Sequence, residues 1–158
     1  MATWQRLRRK IACGAIQTSH GITFMTKKIG VVIVAAGSGS RFGDPIPKQY
    51  HTLGGKTLLG HCIECFARHT SPELVQVVYN PAHQDWYDGA IAALGADITT
   101  LPAPVGGGET RQQSVLNGLR ALAARKPDIV LIHDAARPGI SDDVITRVIK
   151  ALETHAGA

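Results

Sequence analysis

Two cations and three glycines follow the first strongly apolar run of the chain, and together they have the chemistry of an anion site. The stretch "AAGSGSRFGDPIPKQY" (residues 35–50) comes directly after the run 29–34 and contains Arg41 and Lys48. Its glycines let backbone N–H groups approach an anion closely, and the two cations suit a triphosphate. The alternative is a tight surface turn, although a turn needs neither the cations nor the stiffening prolines.

Neither of the two common glycine-rich nucleotide loops fits this stretch. A dinucleotide-binding Gly-x-Gly-x-x-Gly loop opens directly into a helix, whereas here the third glycine comes one place late and Pro45 and Pro47 block a helix. A P-loop is only partly matched by Gly55-Lys56-Thr57, because Tyr50 stands where the signature needs glycine. We therefore predict a turn at residues 54–55 and a helix start at Thr57.

A second candidate loop is "PVGGGETRQQS" (residues 104–114), which leads into a helical pattern. Three glycines before a helix N-terminus form a pocket of backbone donors, and Glu109 can accept a hydrogen bond from an exocyclic amine. The alternative is a simple helix cap with Glu109 in the first turn of the helix, where the helix dipole favours an acid.

A third candidate loop is "HDAARP" (residues 133–138), directly after the apolar run 129–132. Asp134 at the end of a strand can coordinate Mg²⁺ through one oxygen, while phosphates and water supply the other ligands. The alternative is an ion pair between Asp134 and Arg137 that stiffens the turn. We predict that His133 packs or forms hydrogen bonds.

A cluster of His and Cys residues offers a competing metal site. On a helix, His61, Cys65 and His69 share a face at four-residue spacing and could bind zinc. Structural zinc sites usually also take ligands from turns, so we favour a simpler interpretation. In it, Cys62 belongs to the core and the other three side chains are solvated or packed.

Alternating apolar patterns place these loops in an α/β fold. We predict strands at 29–34, 74–79, 98–101 and 129–132, and helices at 57–69, 84–94, 110–125 and 142–154. Ser141 is the predicted N-cap of the last helix. The third helix has four candidates for its inward face: Val115, Leu116, Leu119 and Leu122. The pattern predicts a three-layer, doubly wound, mostly parallel sheet, with ligands bound beyond the carboxyl ends of its strands.

Composition bounds the possible functions. The length of 158 residues suits one domain, and residues 1–28 hold six Lys and Arg and no acid. Because the whole chain carries only +5, its body is near neutral, which argues against nucleic-acid binding. No stretch approaches the roughly 20 apolar residues that span a bilayer. Three cysteines without a pairing pattern suggest a reducing compartment.

We divide the chain into a basic, disordered N-terminal extension (residues 1–28) and a globular domain (residues 29–158). The basic, acid-free composition of the extension is also compatible with an organelle transit peptide. Import into an organelle is therefore the alternative to a cytoplasmic location.

The three loops together resemble the 2-C-methyl-D-erythritol 4-phosphate cytidylyltransferases of the non-mevalonate isoprenoid pathway. The resemblance runs from about residue 29 to the end of the chain, and the Pro47-Lys48-Gln49 ending with the two later loops makes it specific. In some bacteria this domain is the first half of a bifunctional protein that also carries the cyclodiphosphate synthase.

The resemblance implies a role for each matching residue. Arg41 and Lys48 are then the catalytic cations at the α-phosphate of CTP, and Asp134 holds Mg²⁺ or another divalent cation. The other residues implied to bind the nucleotide are Ala35, Ala36, Gly37, Gly39, Gly108, Glu109, Ser114, Asp134, Ala135 and Arg137. The family commonly has Asp in place of Glu109.

The implied reaction transfers a cytidylyl group from CTP to 2-C-methyl-D-erythritol 4-phosphate and releases pyrophosphate. The family also implies a cytoplasmic bacterial enzyme, a homodimer at full length, and partners that include neither nucleic acid nor membrane. It continues beyond the equivalent of Ala158 with residues that hold the acceptor, so we expect the chain to be truncated and to carry the nucleotide half of the site. Two alternatives are a related nucleotidyltransferase with another acceptor, such as ribitol phosphate, and an inactive nucleotide-binding remnant.

Overall fold

A parallel sheet of four strands forms the centre of the fold in a computed structural model that describes residues 27–37, 43–95, 98 and 100–158. The strands are β1 (Ile29–Ala35), β2 (Thr52–Leu53), β3 (Lys56–Thr57), β4 (Val75–Tyr79), β5 (Val105–Gly106) and β6 (Ile129–Asp134). The central sheet has the order β5-β4-β1-β6, and every pair in it is parallel. Strands β2 and β3 form a separate antiparallel hairpin.

Strand β1 lies inside the sheet and fixes its register. Val31 pairs with Val75 of β4 on one side and with Leu131 of β6 on the other. A strand between two parallel neighbours is buried on both faces, which explains why β1 reads as a continuous apolar run. Since the carboxyl ends of β1, β4 and β6 lie at the same edge, the loops that follow them meet there.

In the described part of the chain, four α-helices cover the sheet, and three of them begin at a side-chain cap. The helices are α1 (Leu58–Ala67), α2 (Gln84–Ala92), α3 (Arg111–Ala123) and α4 (Asp142–Ala151). The hydroxyls of Thr57, Thr110 and Ser141 accept hydrogen bonds from backbone N–H groups in the first turns of α1, α3 and α4. The predictions of a helix start at Thr57 and a cap at Ser141 are confirmed.

The two faces of the sheet carry separate apolar cores, which confirms the predicted three-layer architecture. On one face, side chains of β1 and β4 pack against helices α1, α2 and α4; its core includes Ile33, Val77, Leu59, Phe66, Tyr87 and Ile145. On the other face, Val32 and Val78 pack against Leu122 of α3. The alternation of Val32 and Ile33 between the two cores follows from the two-residue period of a strand.

Helix α3 contacts the sheet through small residues, and the predicted inward position of Leu116 is wrong. Leu116 is 39% exposed, whereas Ser114, Gly118 and Leu122 are buried. A Cβ atom added at Gly118 would lie 2.5 Å from Cγ1 of Val32, so only glycine allows this approach. The residues that face the sheet recur every four positions, and the hydrophobic pattern missed two of them because they are small.

The predicted strand at 98–101 is also wrong at its described positions 98, 100 and 101, which lie outside the sheet; the fourth strand is β5, where Val105 pairs with Val78. Leu101 lies outside the sheet and packs against the edge of the core. Two prolines, Pro102 and Pro104, lack the N–H group that a ladder requires. The buried amide of Gln76 holds the intervening segment instead, since its Nε2 donates to the Ala103 carbonyl at 3.0 Å.

The hairpin of β2 and β3 turns at the two glycines that the sequence marked. Gly54 and Gly55 have φ values of 59° and 82°, a region that residues with a Cβ seldom adopt. The predicted turn at residues 54–55 is therefore confirmed.

Within the described part of the chain, no helix has the length and apolar character that crossing a bilayer requires.

Candidate nucleotide-binding site

A cavity of about 700 Å³ opens at the carboxyl edge of the sheet. The first, second and third candidate loops all contribute to its walls. Most of the predicted site residues line it: Ala35, Ala36, Gly37, Lys48, Gly108, Glu109, Ser114, Asp134 and Arg137. They come together because β1 and β6 end at the same edge and α3 begins beside them.

The structure does not place three predicted site residues in the cavity wall. Gly39 and Arg41 fall outside the described residues. Ala135 is buried beneath the cavity, where its N–H group donates to the Val34 carbonyl at 3.0 Å and its own carbonyl accepts from Cys62 Sγ. Its neighbour Ala136 lines the cavity in its place.

The first loop returns to the sheet through a short 3₁₀ turn (Lys48–Tyr50). Lys48 is exposed at the cavity wall, whereas the next residue, Gln49, is only 4% exposed. Nε2 of Gln49 donates to the Ala35 carbonyl at 2.7 Å and to the Gly37 carbonyl at 3.0 Å. The two ends of the loop are thus joined by one buried amide.

Four hydrogen bonds hold the second loop in place. The Gly107 N–H donates to the Tyr79 carbonyl at 2.8 Å, and the Gly108 N–H donates to Ser114 Oγ at 3.1 Å. Ser114 Oγ in turn donates to the Thr110 carbonyl, and Asn117 Nδ2 donates to the Gly106 carbonyl, both at 3.0 Å. These bonds fix the glycine backbone in place before any ligand arrives.

Helix α3 directs its N-terminus at the cavity. Thr110 caps it, and Arg111 is its first residue. Glu109 therefore lies outside the helix, before the cap, so the alternative that placed it in the first turn is wrong. The free N–H groups of the first turn give this end of a 13-residue helix a partial positive charge that favours an anion.

In the third loop, Asp134 lies between two guanidinium groups. Nε of Arg111 donates to Oδ1 of Asp134 at 3.0 Å, Nη2 of Arg111 lies 2.9 Å from the same oxygen, and Nε of Arg137 lies 3.3 Å from Oδ2. The ion pair between Asp134 and Arg137 that the sequence left as an alternative is therefore present. The pair with Arg111 links the second loop to the third.

His133 supports this loop from below. Its Nε2 forms a hydrogen bond with the Arg137 carbonyl at 2.9 Å, and its ring meets Phe66 edge to face with centroids 5.0 Å apart. Burial lowers the pKa of His133 below its ordinary value, so the ring is neutral near pH 7. The prediction that His133 packs and forms hydrogen bonds is confirmed.

The His and Cys residues of α1 and the turn that follows it have different partners from one another. His61 bonds to the Leu53 carbonyl and His69 to Asp142, while Cys62 and Cys65 are buried. The predicted core position of Cys62 is confirmed by its complete burial. Among the described residues, no group of three or more His, Cys, Asp or Glu side chains could hold a metal ion.

The charges of the cavity suit an anion that carries a polar base. Lys48, Arg111 and Arg137 outnumber Glu109 and Asp134 among the lining residues. The cations lie on the first and third loops and at the start of α3, whereas the glycine backbone and Glu109 lie together on the second loop. The cavity therefore combines cations that can bind phosphates with backbone donors and an acceptor that can bind a base.

Sequence reasoning missed Gln49, Arg111 and Asn80, which all line the cavity. Asn80 follows β4, and the rule that selected the three loops applies equally to the end of that strand. Arg111 stands at the predicted start of a helix, where its side chain can reach the neighbouring strand end. Gln49 gave no signal of its own beyond its position next to Lys48.

Comparison with protein families gives one match over most of the chain. The family model IspD, described as 2-C-methyl-D-erythritol 4-phosphate cytidylyltransferase, matches residues 29–158. The match begins at the first residue of β1 and includes all three loops that form the cavity.

Two curated relatives are both described as "Bifunctional enzyme IspD/IspF". The protein from Rhodospirillum rubrum is 47% identical over 131 residues, which cover 83% of this chain and 33% of the relative. The protein from Paramagnetospirillum magneticum is 49% identical over 133 residues, with 83% and 33% covered. The chain thus spans about a third of the length of these relatives.

A solved structure has the same arrangement of elements. The 4-diphosphocytidyl-2C-methyl-D-erythritol synthase of Anaerococcus prevotii superposes with a TM-score of 0.62 at 27% identity. The superposition covers 82% of this chain and 52% of that protein. The family match and this superposition therefore agree on the same stretch of chain.

Proposed function

Because the chain belongs to the 2-C-methyl-D-erythritol 4-phosphate cytidylyltransferase family, we propose that its cavity binds CTP for transfer of the cytidylyl group to 2-C-methyl-D-erythritol 4-phosphate. Pyrophosphate is the second product, and the reaction serves isoprenoid precursor biosynthesis. One observation carries the proposal: a braced glycine loop and three cations, Lys48, Arg111 and Arg137, line a single cavity at the carboxyl edge of a parallel sheet.

In this proposal the base of CTP binds at the second loop. The backbone of Gly108 and the carboxylate of Glu109 lie there, and a carboxylate can accept a hydrogen bond from the exocyclic amine of cytosine. Uracil has a carbonyl oxygen at the same position, which would face the carboxylate without a proton between them. Glu109 therefore favours a higher affinity for CTP than for UTP.

The triphosphate then extends toward the cations and the start of α3. A phosphate oxygen of the acceptor attacks the α-phosphorus, the bond between that phosphorus and the β-phosphate bridging oxygen breaks, and pyrophosphate leaves with the electron pair. Lys48 stabilises charge on the α-phosphate as it develops, and Arg41 has the same proposed role from the family resemblance. No covalent intermediate is needed, because positioning and charge supply the catalysis.

The residues present suit a divalent cation that takes most of its ligands from the substrate. Asp134 offers one partly exposed carboxylate at the end of β6, and Mg²⁺ typically binds through one or two carboxylates together with phosphates and water. When bound, the cation supplies positive charge to the triphosphate. Asp134 would hold it after exchanging at least one of its contacts with Arg111 and Arg137.

The proposal also includes the acceptor substrate, the oligomeric state and the cellular location of the full-length protein. The chain covers about a third of its relatives, so the activity of the whole protein, its homodimeric state and its cytoplasmic location are proposed from the family. Sedimentation of the full-length protein would measure the homodimer. Turnover with 2-C-methyl-D-erythritol 4-phosphate, compared with ribitol phosphate, would measure acceptor specificity.

The decisive experiment measures nucleotide binding to this chain by calorimetry in the presence of Mg²⁺. CTP, UTP, ATP and GTP are compared while circular dichroism records folding. We expect selective CTP binding, and we expect Glu109→Gln to narrow the preference over UTP, because an amide can donate to a uracil oxygen as well as accept. A folded chain without selectivity for CTP would refute the proposal.

A further inference from the structure

Gln49 provides a structural link between the end of β1 and the residue that the proposed function places at the α-phosphate. We propose that Gln49 is a positioning residue, which sets the place of Lys48 in the cavity by tying the 3₁₀ turn to the backbone at Ala35 and Gly37. The inference rests on the proposed function, because it assigns Lys48 to nucleotide binding.

The hydrogen bonds of Gln49 are well suited to this task. One side-chain nitrogen uses both of its hydrogens, on the Ala35 carbonyl at 2.7 Å and on the Gly37 carbonyl at 3.0 Å. Gln49 is 4% exposed, so water competes little for these bonds, and breaking them removes a donor from the carbonyl of Ala35, which is itself buried. The amide therefore holds both carbonyls at a fixed distance from the turn.

The turn transmits this constraint to Lys48. The N–H groups of Tyr50 and His51 donate to the carbonyls of Pro47 and Lys48, at 2.9 and 3.2 Å. Tyr50 is 4% exposed and packs in the apolar core beneath the turn. Gln49 and Tyr50 thus fix the turn from two directions, and Lys48, directly bonded to Gln49, has its backbone fixed while its side chain faces the cavity.

The chain supplies a matched control in its other buried glutamine. Gln76 is 1% exposed, and its Nε2 also donates to two backbone carbonyls, those of Val77 and Ala103. Gln76 lies on β4 and does not line the cavity. Replacing either glutamine with methionine removes the same donors from a buried position while keeping side-chain length. Of the two substitutions, only Gln49→Met removes hydrogen bonds that hold the turn containing Lys48.

The first test needs no nucleotide. Acylation of Lys48 by an amine-reactive ester, followed by mass spectrometry, reports the surroundings of its Nζ in the folded chain. We expect Gln49→Met to change the acylation rate several-fold and Gln76→Met to leave it unchanged. If Gln49→Met does not fold, Gln49→Asn takes its place, since it keeps the amide but withdraws it from both carbonyls. A Lys48 rate equal to that of the unmodified chain would overturn the proposal.

The second test asks whether Gln49 acts on CTP binding through Lys48. We expect Gln49→Met and Lys48→Ala each to weaken CTP binding by about tenfold, a size consistent with misplacing one binding group. The Gln49→Met/Lys48→Ala double variant should bind CTP no more weakly than Lys48→Ala alone, because Gln49 has no Lys48 side chain left to position. Gln76→Met in the Lys48→Ala background should show only its own small effect.

The remaining outcomes separate this inference from the proposed function. Additive losses in the double variant would overturn the positioning role and leave CTP binding intact. If Lys48→Ala leaves the affinity for CTP unchanged, the role of Gln49 in CTP binding through Lys48 is likewise overturned. A folded chain with no CTP selectivity would refute the proposed function, and the acylation rates would still decide whether Gln49 sets the place of Lys48.

Discussion

Arg111, the first residue of α3, donates from Nε to Oδ1 of Asp134, the last residue of β6, and its Nη2 lies 2.9 Å from the same oxygen. The contact connects the helix N-terminus at the second loop with the strand end at the third loop, across the cavity wall. The Arg111 side chain is 60% exposed, so the pair contributes little to folding, on the order of 0–1 kcal/mol. The main effect of the pair is to hold the guanidinium of Arg111 and the carboxylate of Asp134 next to each other at the cavity wall.

We predict that Arg111→Ala and Asp134→Asn each weaken CTP binding in Mg²⁺ while changing the free energy of unfolding by less than about 1 kcal/mol. The double variant should lose less affinity than the sum of the two single losses, because the two groups contact each other. Calorimetric titrations and urea denaturation measure the two quantities. Large losses of stability with unchanged CTP affinity would instead assign the pair to folding.

Gly107 allows the first and second loops to approach each other, and this approach is testable. A Cβ atom at this position would lie 2.3 Å from Cβ of Ala36 and 3.0 Å from Ser114 Oγ. We predict that Gly107→Ala lowers the free energy of unfolding by about 1–3 kcal/mol and weakens CTP binding, since the loops must move apart. Thermal denaturation and CTP titration measure both effects.

Two further variants control for the Gly107 substitution. Adding Ala36→Gly removes the nearest clashing atom, so the double variant should recover part of the lost stability. Gly89 lies in α2 with no atom within 4 Å of an added Cβ, and Gly89→Ala should raise stability by up to about 1 kcal/mol. Failure of Ala36→Gly to restore any stability would show that the contact with Ala36 is not the cause.

The two cysteines of α1 should be chemically inert in the folded chain. Burial raises the pKa of Cys62 to about 12, and burial is also the largest cause of the raised pKa of Cys65. Because the thiolate is the reactive form, we expect alkylation at neutral pH to spare both residues until urea unfolds the chain. Mass spectrometry of labelled peptides gives the result for each site. Rapid native labelling of Cys62 would contradict its position in the core.

The free energy of unfolding should rise with pH over the range in which His133 loses its proton. Burial places its folded pKa below the ordinary value of 6.5, so the unfolded chain binds more protons below that pH. This contribution is fully present above about pH 6.5 and is lost as the pH falls toward the folded pKa, with a slope of at most about 1.4 kcal/mol per pH unit. Urea denaturation from pH 5 to 7.5 measures it.

The matched variant for this pH dependence is His133→Gln, which keeps a donor for the Arg137 carbonyl and does not titrate. We expect its free energy of unfolding to vary less steeply with pH than that of the unmodified chain. Parallel curves for the two proteins would mean that another group causes the pH dependence.

Sequence reasoning predicted the loops more accurately than the details of packing. The ends of β1 and β6 were visible as apolar runs followed by glycines or charged residues, and the 107–109 segment was recognised from its glycines before a helix, so Asp134 and that segment were placed correctly at one edge. The strand at 98–101 was wrong because apolar residues such as Ile98 and Leu101 can pack against the core without joining the sheet, and the sequence pattern does not distinguish the two cases. The inward position of Leu116 was wrong because close helix approach at Gly118 turned the helix face toward smaller residues.

The sequence by itself determined the layered fold, the edge of the sheet where the candidate loops meet, and the family, since these depend on local periodicity and short motifs. Only the tertiary structure decided which side chains meet. Gln49 contacts the end of β1, Arg111 contacts Asp134 across 23 positions, and Ala135 is buried beneath the cavity that its neighbours line. Such contacts depend on strand order, on the rotation of each helix and on the path of each loop, which are fixed when the two cores pack and not by any local pattern.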